Sequence, residues 1–328
     1  MTLRLLIKPI EAPHLTRGMV GGIDVISTTY ALHAPLLSTV VGLLANVYCE
    51  ATGNTSICNL QGLTNCLDSL KKAREEMGLD MLWGPLVVVN NKRYFIAEDK
   101  LVPIDKTKDY ADRVVNMDCA EDCLDELLGN EQFRFGVIEK AGIAIDRERF
   151  TGTVKPGFMY RQRFTWLYRI HVTKDERETR RERRDAVEGW GYEYVVKVKN
   201  EDVLKGTRYI MRFGGEGRQA IVEVTAGGDV DQGGDYGIVL SPVIFTGDAP
   251  FVNVQSIDND IELVYGLLTN GGVKQRVSTA SLGFSEAARC RRPIYPAIPL
   301  GTVIRLRAPR THVGLFTEFG YGSILTVK

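Results

Sequence analysis

The chain has 328 residues, enough for two domains of ~150 residues each. With 44% apolar and 25% charged residues it is neither collagenous, coiled-coil nor wholly disordered. Forty-one Lys plus Arg balance forty-one Asp plus Glu, so net charge alone gives no reason to expect a polyanion partner. The most apolar stretch, Pro35 to Tyr48, contains Ser, Thr and Asn and is shorter than the ~20 residues that cross a bilayer. Arg4 and Lys8 interrupt the apolar start, which argues against a secretory signal. The chain reads as cytoplasmic, with no membrane partner.

A strand is expected at Leu3 to Ile10, followed by a glycine-rich loop from Arg17 to Asp24 that contains Gly21 and Gly22. Pro35 then introduces an apolar helix, where the hydroxyl of Ser38 or Thr39 can accept from the free N–H groups of the first turn. Leu60 to Met77 has leucines at helical spacing. Leu86 to Glu98 reads as two strands joined by Asn90-Asn91, residue types that tolerate positive φ. Met117 to Leu128 carries acids around an apolar stripe, as a solvated helix does.

From Val137 to Val172 β-favouring residues alternate with bases, and Gly152 and Pro156-Gly157 supply turn signals, which predicts a long β-hairpin. Lys174 to Asp185 has six bases, five acids and no apolar residue, and reads as a solvated helix or mobile loop at or near a domain boundary. The rest is strand-like, at 192–198, 207–213, 220–224, 237–243, 302–307 and 323–327. Regular βαβ repeats are absent, so the class is α+β rather than a doubly wound sheet.

The neutral total hides segregation. Between Arg147 and Arg169 six bases (Arg147, Arg149, Lys155, Arg161, Arg163, Arg169) face one acid and interleave with Phe150, Phe158, Tyr160, Phe164, Trp166 and Tyr168. Cations for phosphates and aromatic faces for splayed bases suit single-stranded nucleic acid. A half-exposed hairpin with its aromatics turned inward would show the same pattern, and both readings stand. Lys274 to Arg310, including Arg289, Arg291 and Arg292, holds eight bases and one acid, after a stretch from Gln219 to Val273 with eight acids and no base. In Gly214-Gly215-Glu216-Gly217-Arg218 the glycines permit close backbone approach and Arg218 adds a two-pronged donor for phosphate, although a tight hairpin turn would use the same glycines.

No phosphate-loop, zinc-protease, serine-hydrolase or kinase signature is present. Of four histidines, His14 and His33 are placed for acid–base work if RNA were cleaved beside the first loop. Six cysteines are too few for a secreted disulfide framework, so reduced thiols are expected. Cys119 and Cys123 at i, i+4, with no histidine near and no second ligand pair, suggest packing rather than metal. No metal or other cofactor is expected.

A first strand ending in KPIE, then PLLSTVVGLL, AGIAIDRERFTGTVKPGFMY, RFGGEGR, SLGFSEAARCRRPIYPAIPLGTVIRL and FGYGSILTV occur in this order. Together they resemble the RAMP superfamily of CRISPR effector subunits, and within it the type III-B Cmr proteins. Phe284-Ser285 and Arg292-Pro293 depart from the Trp-Asp and Lys-Pro usual in the family. The resemblance implies two ferredoxin-like (RRM-type) domains, set at 1–195 with an inserted hairpin and at 196–328, with Gly-rich loops and a projecting hairpin. It also implies a non-catalytic subunit that binds the 5′ tag of guide RNA, between a large polymerase/cyclase-like subunit and a backbone RAMP subunit, with target RNA nearby. The RNA-binding set expected on these grounds is Arg17, Gly21, Gly22, Ser38, Thr39, Arg147, Arg149, Lys155, Tyr160, Arg161, Gly214, Gly215, Gly217, Arg218, Arg289, Arg291 and Arg292. The alternatives are a RAMP endoribonuclease that processes precursor guide RNA, and a structural protein whose bases bind acidic protein surfaces.

Overall fold

The computed structural model describes residues 2–16, 31–54, 56, 63, 65–117, 122–145, 154–174, 180–228, 230, 233–246 and 260–327, with backbone alone for 141–145, 154–161, 174, 180 and 181. In chain order the first half contains β1 (Leu3–Pro9), α1 (Leu37–Thr52), α2 (Asp68–Met77), β2 (Met81–Val89), β3 (Lys92–Ala97), β4 (Lys100–Pro103), α3 (Thr107–Val115), α4 (Cys123–Leu128), β5 (Glu131–Ile145) and β6 (Val154–Lys174). There follow β7 (Arg180–Ala186), β8 (Gly191–Lys197), α5 (Glu201–Leu204), β9 (Arg208–Arg212), β10 (Gln219–Ala226), β11 (Tyr236–Val239), β12 (Val243–Ile244), β13 (Ile261–Thr269) and β14 (Gly272–Lys274). The chain ends with β15 (Ser278–Ser281), β16 (Phe284–Ser285), β17 (Cys290–Arg291), β18 (Ile294–Ile298), β19 (Val303–Leu306) and β20 (Ile324–Val327).

Ten strands form one sheet in the order β7-β6-β5-β4-β3-β2-β8-β1-β10-β9, and β14-β13-β19-β11-β20 form a second. The described pairings are all antiparallel, so the mixed, strand-rich α+β expectation holds at that level.

The period of two explains the layers. Leu3, Leu5 and Ile7 of β1 are fully buried and join the core under α1 and α2 with Tyr192, Tyr194, Val222 and Val224. Trp83, Phe95 and Val195 point to the opposite face, where Tyr110 of α3, Leu124 of α4 and Ile238 and Val303 of the second sheet cover them. Lys100, buried on β4, ties the units together: its ammonium donates to Asp125 of α4 and, at 2.9 Å, to Asn270, whose amide returns a bond to Asp125 at 3.0 Å.

Several expectations are corrected. Pro156-Gly157 is not the hairpin turn but lies inside β6, where pairing jumps from Ile143↔Met159 to Ile145↔Val154. A bulge can house a residue without an N–H; Gly152 lies outside the described residues. The end of the charged run is neither helix nor loop but β7, whose residues Arg180 to Ala186 pair with Lys174 to Tyr168 of β6. Strands β9 and β10 lie beyond residue 196 yet pair with β1, so the first sheet does not end at that boundary. Cys66 and Cys290 form a disulfide, Cys49 and Cys123 are also disulfide-bonded, and no described cysteine is free. The low cysteine count points to reduced thiols, but the fold brings residues 224 apart together with Cα atoms 5.7 Å apart, which chain spacing does not show. Among the described residues no helix is long and apolar enough to cross a membrane, and no cluster of three ligating side chains could hold a metal.

Candidate nucleic-acid interface

The segments flanking the first glycine-rich loop converge on the base of the β5–β6 hairpin. Thr165 of β6 receives the chain on both sides, its N–H donating to Pro13 at 3.0 Å and its hydroxyl to the carbonyl of Leu32 at 2.8 Å. Leu32 N–H donates to Leu15, and Thr16 bridges Ala31, so residues 13–16 and 31–34 run as a narrow strip along the hairpin base.

At one end of this strip His14 packs on Phe164, with ring centroids 5.4 Å apart, and its Nδ1 lies 3.0 Å from the carbonyl of Arg163, which makes Nδ1 the proton donor. Two cations share the Phe164 ring: the Arg218 guanidinium at 4.5 Å and the Lys140 ammonium at 5.3 Å. Glu11 pairs with Arg218, and Glu139 pairs with Arg163 at 2.7 Å. Arg218 Nε is buried and lacks a partner among the described residues. The corner is cationic, with one donor in it unsatisfied.

The GGEGR turn explains its own glycines. A side chain on Gly214 would come 2.8 Å from the carbonyl of His14, at φ +79°, and one on Gly215 would strike the His14 ring. Their freedom is used to seat the β9–β10 turn on residue 14, whereas Gly217, at φ +67°, faces open space.

At the other end His33 stacks on Phe135 at 5.4 Å, and its Nδ1 donates to Glu98 at 2.8 Å. Beside it opens a cavity of about 560 Å³ between the start of α1 and β15, rimmed by Arg134 and Arg276. Both arginines are paired, Arg134 with Asp99 at 2.5 Å and Arg276 with Glu98 at 2.8 Å. Neither was singled out in the sequence: Arg134 stands alone among apolar residues, and Arg276 is one of eight bases in the block from Lys274 to Arg310 with nothing local to distinguish it.

The remaining expected residues separate into three groups. Arg17, Gly21, Gly22, Arg147 and Arg149 lie outside the described residues, and Lys155, Tyr160 and Arg161 lie on β6 with only their backbone described. Arg289 and Arg291 are exposed on the β16–β17 hairpin, and Thr39 is half-buried in the first turn of α1. Ser38 and Arg292 are buried and engaged internally. Ser38 donates through its N–H and hydroxyl to the phenol of Tyr321, which donates to Ser281; burial pushes that phenol's pKa up. The helix is thus capped from the carboxyl-terminal segment, and neither Ser38 nor Thr39 supplies a side-chain cap. Arg292 Nε donates to Cys66 at 2.7 Å, Nη1 to Leu282 and Phe284 at 3.1 and 2.9 Å, and Nη2 to Ser69 at 2.8 Å. Burial among these neutral acceptors lowers its pKa. Of the hairpin aromatics, Phe164 is buried and Trp166 packs edge-on against Trp190, so these two face inward.

No family model and no curated protein sequence matches the chain. Among solved structures, a chain of the type III-B Cmr-beta bound to cognate target RNA matches at TM-score 0.62 and 20% identity, over 98% of this chain and 96% of that one. A chain of type III-B Cmr-beta bound to cognate target RNA and AMPPnP matches at TM-score 0.58 and 21% identity, over 92% and 86%. At these identities the likeness is one of fold, and the chain has the fold of a protein chain of type III-B Cmr-beta, as its RAMP-like motifs predict.

Proposed function

We propose that the chain is a RAMP-type subunit of a type III CRISPR effector that holds guide RNA and carries no catalytic centre. Within a type III-B Cmr complex its place is that of the third subunit, built on ferredoxin-like domains and holding the 5′ tag of the guide. Its protein neighbours are then the large polymerase/cyclase-like subunit and the backbone RAMP subunit, with target RNA close by. The observation that carries this reading is the likeness of fold along nearly the full length of both chains. The cationic corner supports it: Arg218, Lys140 and His14 gather beside residues 13–16, and the partly exposed Arg218 guanidinium suits a phosphate oxygen. The cavity beside His33, with two arginines on its rim, extends the same track toward α1.

The test is incubation of the purified chain, and of the assembly containing it, with an RNA carrying the repeat-derived tag. Retention of uncleaved RNA, crosslinked at the corner or cavity, is the expected outcome. Sequence-specific scission that vanishes in His14→Ala or His33→Ala replaces the proposal with the endoribonuclease. An assembly without RNA replaces it with a purely structural role.

A further inference from the structure

The second face of the ten-stranded sheet is divided. Over β2, β3 and the adjoining part of β8 it is covered by α3, α4 and the second sheet, and Trp83, Phe95 and Val195 are buried there. Over β1, β10 and β9 no described element covers it, and the side chains form an ordered ion-pair ladder. Glu193, only 2% exposed, is held between Arg4 at 2.5 Å and Arg93 at 2.7 Å. One step along, Glu223 is held between Lys8 at 2.8 Å and Arg208 at 3.1 Å. Each acid lies between two bases, so what faces outward is cationic, and the exposed Arg212 extends it. At the free edge Ile210 is 64% exposed and stands opposite Ile221.

We infer that this open face docks an acidic surface of a neighbouring protein subunit, with Ile210 and Ile221 as an apolar edge and Arg4, Lys8, Arg93, Arg208 and Arg212 as the cationic surface beside it. The inference rests on the effector-subunit reading and adds a surface distinct from the RNA track. An apolar patch flanked by oriented charges suits a protein interface. Single-stranded RNA is disfavoured because this face has no Phe, Tyr or Trp to stack a base, Tyr192, Tyr194 and Tyr209 packing into the core on the other face. The two carboxylates in the ladder would also repel closely spaced phosphates. A partner carboxylate meets the bidentate donors that Glu193 and Glu223 leave spare.

The experiment uses the assembly purified through a tag on the full chain, as wild type and as Arg208→Glu/Arg212→Glu. Both positions are exposed, and an unchanged thermal melt checks the fold. Zero-length carbodiimide coupling of the wild-type assembly is expected to join Lys8 to an Asp or Glu of one other effector subunit. By native mass spectrometry, the charge reversal is expected to reduce that subunit roughly tenfold or more while RNA is retained, and Arg208→Lys/Arg212→Lys to preserve it. A wild-type assembly that forms with no Lys8 crosslink to another subunit, or unchanged composition in the reversal variant, overturns the docking inference alone. RNA lost while every protein stays reassigns the face to nucleic acid. A wild-type chain that brings down no effector subunit overturns the effector reading as well.

Discussion

Arg218 and Arg292 look alike in the sequence, each beside glycines or further bases and each fit for a phosphate, yet the fold uses them in opposite ways. Arg218 lies over Phe164, pairs with Glu11 and stays partly exposed beside His14. Arg292 makes four hydrogen bonds to neutral oxygens, beside the Cys66–Cys290 disulfide and at the start of α2. A guanidinium cannot shed its charge, so once buried it must be surrounded by acceptors, and those acceptors depend on it in return. Arg292 is therefore a rivet and Arg218 a contact. The comparison is broken if their substitution phenotypes are alike.

The largest effect is expected at the rivet. Arg292→Met leaves the buried Leu282 carbonyl and Ser69 hydroxyl, and the half-buried carbonyls of Cys66 and Phe284, without their donor, which costs about 2–4 kcal/mol. Chemical denaturation should show a lowered midpoint, while RNA affinity per folded molecule is unchanged. A stable variant with weakened RNA binding would reverse the assignment.

Next comes the disulfide at the same place. Joining residues 224 apart restricts the unfolded chain, and Cys66→Ser/Cys290→Ser is expected to lose about 2–4 kcal/mol. Reducing agent should lower the melting temperature of the wild type more than that of this double variant. Equal shifts would mean that the other disulfide-bonded cysteines carry the effect.

At Arg218 the stability cost should be smaller, about 1 kcal/mol from the lost cation–π contact and its partly exposed ion pair with Glu11. The informative readout is ionic: Arg218→Ala should reduce the log–log salt slope of RNA binding by ~0.7, one phosphate contact to a single strand. An unchanged slope with a lowered melt makes Arg218 a second rivet.

These contrasts mark what the sequence makes legible. Local rules placed β1 and the Asn90-Asn91 turn, whose residues have φ of 49° and 64°, because period and turn chemistry act over a few residues. They failed where a distant partner decides. The end of the charged run, from Arg180, became β7 because the long β6 offers it an edge, and Pro156-Gly157 entered a bulge because the hairpin continues past it. The cap of α1 arrives from Tyr321, beyond any local window. Of the candidate site, the glycine turn and Arg218 were legible as a cluster. The pairing of Arg134 with Asp99 and Arg276 with Glu98 around the cavity was not, since the strand order alone brings them together.

The smallest effect is expected at His312, which tests whether the rivet's cost comes from a charge that cannot leave. Like Arg292 it is an interior base bonded to a carbonyl: Nε2 donates to Leu82 at 2.9 Å, while Nδ1 lies 3.0 Å from the Thr311 hydroxyl. Burial lowers its pKa below 6.5, the hydrogen bond to Leu82 opposing only in part, so the folded protein keeps it neutral. The unfolded chain takes up a proton near 6.5 and the folded chain only below that, so the unfolded state binds more protons between the two values. The stability contributed by the neutral ring is therefore fully present above 6.5 and lost as pH falls below it. His312→Gln should flatten the melting temperature against pH in that window relative to wild type and leave the profile above pH 7 parallel. Parallel profiles throughout would show that the ring is protonated equally in both states, and the difference between a fixed and a dischargeable buried cation would not account for the cost at Arg292.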